Sequence, residues 1–204
     1  MQSEDSHPVI QYHESRIRQY GAASSLALGW NTNYSQKIRF KVLAGIADLS
    51  HRSVLDNGCG KGDLSAFLGK CFTGIRYTGI DQMAVFIEMA NKLYGHLPGT
   101  RFIQCDFDET DLPLSDYVLV SGALNYKNSD KDYIYKTITR LFNASEKGLA
   151  FNLLSATGYP EGELCSYQPD NIIKFCRSLS DEVKWRDDYL EGDYTIFMHK
   201  NAGN

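Results

Sequence analysis

Short apolar runs alternate along most of the chain with segments that carry apolar residues at helical spacing. Four such runs lead into acidic or other polar residues, as buried parallel strands do at their carboxyl ends. These runs lie at 53–55, 75–81, 101–104 and 117–120. Because strands that alternate with helices build a parallel sheet, the pattern predicts an α/β fold.

The alternation continues to the end of the chain. The later predicted elements are a helix at 130–142, a strand at 149–154, a helix at 169–179, and strands near 183–189 and 194–199. The turn Glu191-Gly192-Asp193 separates the last two strands and is typical of an antiparallel hairpin. The sequence therefore predicts seven strands, of which the last two form a hairpin.

A glycine-rich turn follows the first predicted strand and reads Asp56-Asn57-Gly58-Cys59-Gly60-Lys61-Gly62. Glycines allow positive φ and let a ligand lie directly against the backbone. A dinucleotide fingerprint needs G-x-G-x-x-G, and neither possible register here supplies the last glycine. A dehydrogenase is therefore the weakest alternative, and the acids that flank the turn favour a cationic or zwitterionic ligand.

This turn resembles motif I of the class I S-adenosylmethionine-dependent methyltransferases, and Asp81 follows the second strand 21 residues after Gly60. The resemblance extends over about residues 51–200. It implies a three-layer Rossmann-like sandwich whose seven-stranded, mostly parallel sheet ends in an antiparallel hairpin. We expect a single methyltransferase domain over 1–204, with an N-terminal helical lid at 1–50 and a Rossmann-like catalytic core at 51–204.

The resemblance also assigns a cofactor site for S-adenosylmethionine. Asp81 would bind the ribose hydroxyls, although it could instead simply cap the following helix. Asp106 would contact the adenine amino group beside Phe107, which could equally be a core residue. The full predicted set is Asp56, Gly58, Cys59, Gly60, Asp81, Gln82, Met83, Asp106, Phe107 and Ser121.

The first fifty residues are predicted to hold helices at 7–20 and 35–49. Tyr12, Arg16 and Tyr20 share one face of the first helix, which is either half-buried or part of a lid over the substrate. In many small members of the family such N-terminal helices fold over the cofactor edge as a lid. The segment Leu28-Gly29-Trp30 with Gln36 and Arg39-Phe40 resembles a pattern in bacterial members of unassigned substrate. The predicted substrate contacts are Tyr12, Tyr20, Trp30, Asn125 and Tyr126.

Composition limits the partners. A formal net charge of −4 argues against a nucleic-acid substrate, and Lys37, Arg39 and Lys41 are expected on a solvated surface. The chain has no continuous apolar run of about 20 residues, so no membrane span is predicted, and the polar N-terminus is unlike a signal sequence. Five cysteines without a C-x-x-C pair indicate reduced thiols in the cytoplasm and no metal site.

These observations predict a methyltransferase that acts on a small-molecule acceptor, planar or apolar in view of the aromatic residues Tyr12, Tyr20, Trp30, Tyr126 and Tyr159. Two alternatives stay open: a protein or carrier-bound acceptor, and a non-enzymatic module that binds the cofactor. The segment after the fourth strand lacks the N/D-P-P-Y/F motif of the amine- and adenine-methylating branch. No catalytic residue is assigned: His13 is a possible base, but an exposed histidine is the simpler interpretation. The acceptor atom and the oligomeric state are left open.

Overall fold

The structure is a computed structural model that describes residues 6–22, 24–29, 32–106, 110–155 and 162–201. Three predicted positions, Trp30, Phe107 and Tyr159, lie outside the described residues. Within these ranges no helix is long and apolar enough to cross a bilayer.

A seven-stranded sheet organises the part of the chain that the structure describes. Its strands are β1 (Ser53–Asn57), β2 (Arg76–Asp81), β3 (Thr100–Gln104), β4 (Ser115–Val120), β5 (Ser145–Leu154), β6 (Glu182–Arg186) and β7 (Asp193–His199). They lie in the order β3-β2-β1-β4-β5-β7-β6. Strands β1 to β5 run parallel to one another, whereas β7 runs antiparallel to both β5 and β6. The predicted fold class and closing hairpin are confirmed.

Within the described residues, six α-helices accompany the sheet. They are α1 (Ser6–Tyr20), α2 (Asn33–Leu43), α3 (Asp63–Cys71), α4 (Ala84–Tyr94), α5 (Tyr133–Asn143) and α6 (Pro169–Leu179). Short 3₁₀ turns at Ser25–Leu28 and Ala44–Ile46 follow α1 and α2.

The core forms two layers because side chains alternate between the faces of each strand. Leu55 and Val118 pack with the α5 residues Ile134 and Ile138 on one face. Val54 belongs to the cluster on the other face, which is completed by α2, α3 and α4. Each fully buried leucine or isoleucine contributes about 1.5–3 kcal/mol, so both layers hold the strands in register.

Two predicted helix boundaries were wrong for local reasons. The predicted helix 35–49 ends at Leu43, where the chain tightens into the 3₁₀ turn that contains Gly45, a poor helix former. The predicted helix 130–142 begins only at Tyr133. Before it, Asn128 accepts a hydrogen bond from the amide of Asp130, and Asp130 accepts one from Asp132. Such side-chain turns compete with helical bonding.

Candidate functional site

A cleft opens at the carboxyl edge of the sheet, where ligands bind in open α/β folds. The loops after β1, β2 and β4 form its floor, and α1 and α2 cover it. Its lining includes Tyr12, His13, Leu28, Gln36, Arg39, Asp56, Gly58, Cys59, Gly60, Asp81, Gln82, Met83, Phe86, Ser121, Asn125, Tyr126 and Asn152.

The glycine turn forms a close-fitting wall of this cleft. Gly58 and Gly60 have φ values of 76° and 53°, a region that L side chains rarely adopt. A Cβ at Gly60 would lie 2.7 Å from Leu28 Cδ2, and one at Gly58 would lie 2.4 Å from Ala123 Cβ. Only glycine therefore fits here, and the backbone itself faces the cleft.

Asp81 connects the glycine turn to the start of α4. Its Oδ2 accepts the amide of Gly60 at 2.8 Å, and its Oδ1 accepts the amide of Met83 at 2.9 Å. Burial raises the pKa of Asp81 to about 6, although these two bonds favour the carboxylate. The alternative role as the N-cap of α4 was wrong, because Met83 occupies that position and Asp81 only accepts its amide ahead of the first turn.

Asp56 is the second buried acid of the cleft. The hydroxyl of Tyr77 donates to its Oδ2, while Oδ1 has no hydrogen-bond partner among the described residues. Burial raises the pKa of Asp56 to about 7, and nearby Asp81 adds to the increase. A buried acceptor without a donor is costly, so this corner of the cleft favours a donor or a cation.

Ser121, at the end of β4, adds another polar atom. Its Oγ is buried and has no partner in the part of the chain that the structure describes. The floor of the cleft therefore carries the hydroxyl of Ser121 and the acceptor oxygens of Asp56 and Asp81. The two acids give this floor a negative character.

His13 and Tyr126 meet at the upper part of the cleft. His13 Nδ1 lies 3.0 Å from the carbonyl of Ala27, and its Nε2 lies 2.8 Å from the Tyr126 hydroxyl. A carbonyl only accepts, so Nδ1 carries a proton and, in the neutral ring, Nε2 accepts from Tyr126. Burial lowers the pKa of His13, and Arg16 lowers it further against the effect of the Ala27 bond.

The expectation that His13 is an exposed histidine was wrong, since only 7% of the residue is exposed. Arg16 contributes a bond on the same helix, since its Nε donates to the carbonyl of Leu26 at 2.6 Å. That bond fixes α1 against the turn at Ser25–Leu28, so the His13 side of the helix faces inward.

The structure brings most of the predicted site residues to the cleft, but not all. Asp106 and Tyr20 are not among the residues that line it. Tyr20 is 39% exposed at the end of α1, where the guanidinium of Arg16 stacks over its ring.

The expectation that Arg39 lies on a solvated surface was wrong. Its guanidinium makes a two-point pair with the Asp193 carboxylate, with nitrogen–oxygen distances of 3.0 and 2.5 Å. The side chains are 13% and 3% exposed. Because the partners lie far apart in the chain, periodicity alone gave no sign of this pair.

Comparison with known proteins agrees with this geometry. The family described as "Methyltransferase domain" matches residues 54–145. The structure of magnesium protoporphyrin IX methyltransferase from Synechocystis PCC 6803 with bound SAH superposes with a TM-score of 0.67 at 14% identity, over 93% of each chain. The chain therefore shares the fold of this methyltransferase. Another methyltransferase, the Burkholderia thailandensis 1,6-didemethyltoxoflavin-N1-methyltransferase, superposes with a TM-score of 0.64 at 16% identity, over 96% of this chain and 86% of that one.

This methyltransferase-fold chain also has relatives in sequence. Trans-aconitate 2-methyltransferase of Acidovorax sp. (strain JS42) is 26% identical over 152 residues, which are 72% of this chain and 51% of that protein. The enzyme of the same name from Escherichia coli (strain K12 / DH10B) is 26% identical over 67% of this chain and 46% of its own length. The chain thus spans about half the length of the curated relatives it matches.

Proposed function

We propose that the protein is an S-adenosylmethionine-dependent methyltransferase that acts on a small-molecule acceptor. The observation that carries the proposal is the floor of the cleft, where the glycine turn, with no side chain at Gly58 and Gly60, lies between two buried carboxylates, Asp56 and Asp81. One oxygen of Asp56 lacks a partner among the described residues. A ligand with an ammonium group and a ribose matches these features.

The residues present fit the cofactor in kind. Asp56 would receive the ammonium group, and the backbone of Gly58, Cys59 and Gly60 would lie along the methionine part. Asp81 would accept from the ribose hydroxyls, because a carboxylate oxygen that already accepts one bond retains further lone pairs. The remaining proposed contacts to the adenosine are Gln82, Met83, Asp106, Phe107 and Ser121.

When bound, this cofactor supplies a methyl group on a positively charged sulfur. The chain needs to hold the acceptor in line with that methyl and away from water. Such positioning can contribute about 7–11 kcal/mol of the barrier. We propose Tyr12, Trp30, Asn125 and Tyr126 for the acceptor, and we leave out Tyr20 because it does not line the cleft. Residues 1–50 would form a lid on the core at 51–204.

A small acceptor is supported by the relatives and structural neighbours, whose names refer to trans-aconitate, magnesium protoporphyrin IX and 1,6-didemethyltoxoflavin. The net charge of −4 gives no support to a nucleic-acid acceptor. We also propose a reducing, cytoplasmic location, because all five cysteines are free thiols.

Thermal unfolding with S-adenosylhomocysteine tests the proposal. At a ligand concentration of about 100 times Kd the expected stabilisation is about 2.7 kcal/mol, which for a chain of this size raises Tm by roughly 5–10 °C. Asp81→Asn should remove most of the rise, whereas the exposed control Asp187→Asn should keep it. A folded wild-type sample with no shift at millimolar ligand would contradict the proposal and favour an interaction module.

A further inference from the structure

The contact between His13 and Tyr126 joins the N-terminal helix to the loop after β4, two segments 113 residues apart. Both residues line the cleft. The Ala27 carbonyl fixes the proton on Nδ1, so the lone pair of Nε2 points at the Tyr126 hydroxyl. This is the geometry of a base held in one tautomer by the bond to its other nitrogen.

The surroundings keep the imidazole neutral, because burial lowers the pKa of His13. The positive Arg16 is on the same helix, and the ring of Phe86 lies 5.4 Å from the imidazole at a steep angle. Burial raises the pKa of the Tyr126 phenol, and Tyr12 and Asp81 raise it further against the opposing effect of Arg16. Tyr126 is therefore a proton donor to His13 rather than a phenolate.

The Tyr126 oxygen keeps its capacity to accept one more hydrogen bond, since its single proton is directed at His13. Because Tyr126 lines the cleft, a ligand hydroxyl there could donate to it. The neighbouring surface is aromatic: the rings of Tyr12 and Tyr126 are 6.1 Å apart, edge to face. An aromatic surface with one polar anchor suits a planar, mostly apolar molecule.

We propose that Tyr126 and His13 form a proton relay for an acceptor hydroxyl on a planar, mostly apolar molecule, so that the enzyme is an O-methyltransferase. This inference rests on the proposed function. Tyr126 takes the hydroxyl proton of the acceptor while its own proton passes to His13 Nε2. The acceptor oxygen bonds to the methyl carbon as the carbon–sulfur bond breaks, and that electron pair stays on sulfur as a neutral thioether. The positive charge ends on the imidazolium, which releases its proton to water.

The relay distinguishes between acceptor classes. A carboxylate acceptor has no proton to lose at neutral pH, so the relay would contribute nothing to its methylation. The trans-aconitate methyltransferases that resemble this chain are named for a carboxylic acid. The geometry here instead points to a hydroxyl group with its proton still attached, for which base catalysis contributes about 10²–10⁴-fold.

The test measures transfer of a tritiated methyl group from S-adenosylmethionine to a naphthol, a catechol and a hydroxyquinoline, each beside its carboxylate counterpart. Wild type should methylate at least one hydroxyl compound and prefer it to the carboxylate. Tyr126→Phe and His13→Gln should lower kcat by about 10²–10⁴-fold while binding of S-adenosylhomocysteine, followed by calorimetry, is unchanged. Tyr34→Phe and His96→Gln are exposed controls and should behave as wild type.

The pH profile separates a relay from a structural role. Wild-type kcat should fall at acid pH as His13 becomes protonated. In His13→Gln this fall at acid pH should be absent, and kcat should instead rise with pH as the hydroxyl of the acceptor ionises. A parallel loss at all pH values, transfer to carboxylates only, or no transfer to any hydroxyl compound by a cofactor-binding protein would overturn the relay and leave the proposed function in place. Failure to bind S-adenosylhomocysteine would overturn both.

Discussion

Affinity for the cofactor should depend steeply on pH, because the two carboxylates proposed to hold it are buried. In the free protein burial raises the pKa of Asp56 to about 7 and that of Asp81 to about 6. An ammonium group needs the ionised form of Asp56, so binding has to expel the proton that Asp56 carries at lower pH. Affinity should therefore be highest above pH 7 and fall with acidification.

The magnitude follows from the pKa of Asp56. Between pH 8 and pH 5, the ionised fraction of a group with a pKa of about 7 falls about 100-fold, equivalent to about 2.7 kcal/mol of binding free energy. Protonation of Asp81 would add a smaller loss below pH 6. The stability of the ligand-free protein should show the opposite sign: a raised carboxyl pKa stabilises the fold at low pH, and that contribution is lost as pH rises towards 7.

Calorimetric titration with S-adenosylhomocysteine from pH 5 to pH 8 measures this effect. The same titration in two buffers of different ionisation enthalpy should show release of close to one proton per ligand near pH 6. Asp56→Asn should bind more weakly at pH 8 and lose most of the pH dependence, whereas the exposed Asp187→Asn should retain it. A dissociation constant that is constant from pH 8 to pH 5 would refute the reasoning.

Three further predictions concern the framework of the site. Gly60→Ala should lower the free energy of unfolding by about 1–2 kcal/mol, because Gly60 has a positive φ, and it should also weaken binding of S-adenosylhomocysteine. Gly69→Ala is the control, since a Cβ there meets open space, and it should have neither effect in thermal unfolding or calorimetry. Arg39→Met should lower the free energy of unfolding in urea by about 3–5 kcal/mol, because it leaves Asp193 buried without its cation. The double variant Arg39→Met/Asp193→Leu should recover much of that loss, and a double variant as unstable as Arg39→Met alone would contradict this explanation. Ile138→Ala should cost about 2–5 kcal/mol in the same assay, because its side chain is fully buried against the sheet, and a change under half of the lower value would show that the layer repacks.

The fold could be predicted from the sequence because its signals are local. Apolar runs mark the strands, and apolar residues at helical spacing mark the layers on both faces, so the order of elements follows from periodicity. The glycine turn and Asp81 were equally visible, because a close approach of the backbone requires glycine whatever surrounds it. Helix ends were less predictable: the side-chain bonds of Asn128 and Asp130 delay the start of α5.

The contacts that complete the site join residues that are far apart in the sequence. Arg39 and Asp193 are 154 residues apart, and His13 and Tyr126 are 113 apart. Each partner alone resembles an ordinary surface residue, and only the packing of α1 and α2 over the sheet brings the pairs together. Spacing within one element carries no information about such pairs, which is why His13 was predicted to be exposed.

Calorimetric titration of the whole chain at pH 8 with S-adenosylhomocysteine, and with NAD as the comparison, tests the central claim most directly. We predict saturable binding of one S-adenosylhomocysteine per chain and no heat of binding with NAD. The turn lacks the last glycine of a dinucleotide fingerprint, and the acids that flank it, Asp56 and Asp63, would repel a pyrophosphate. Saturable binding of NAD, or no binding of S-adenosylhomocysteine at millimolar concentration to a folded sample, would contradict it.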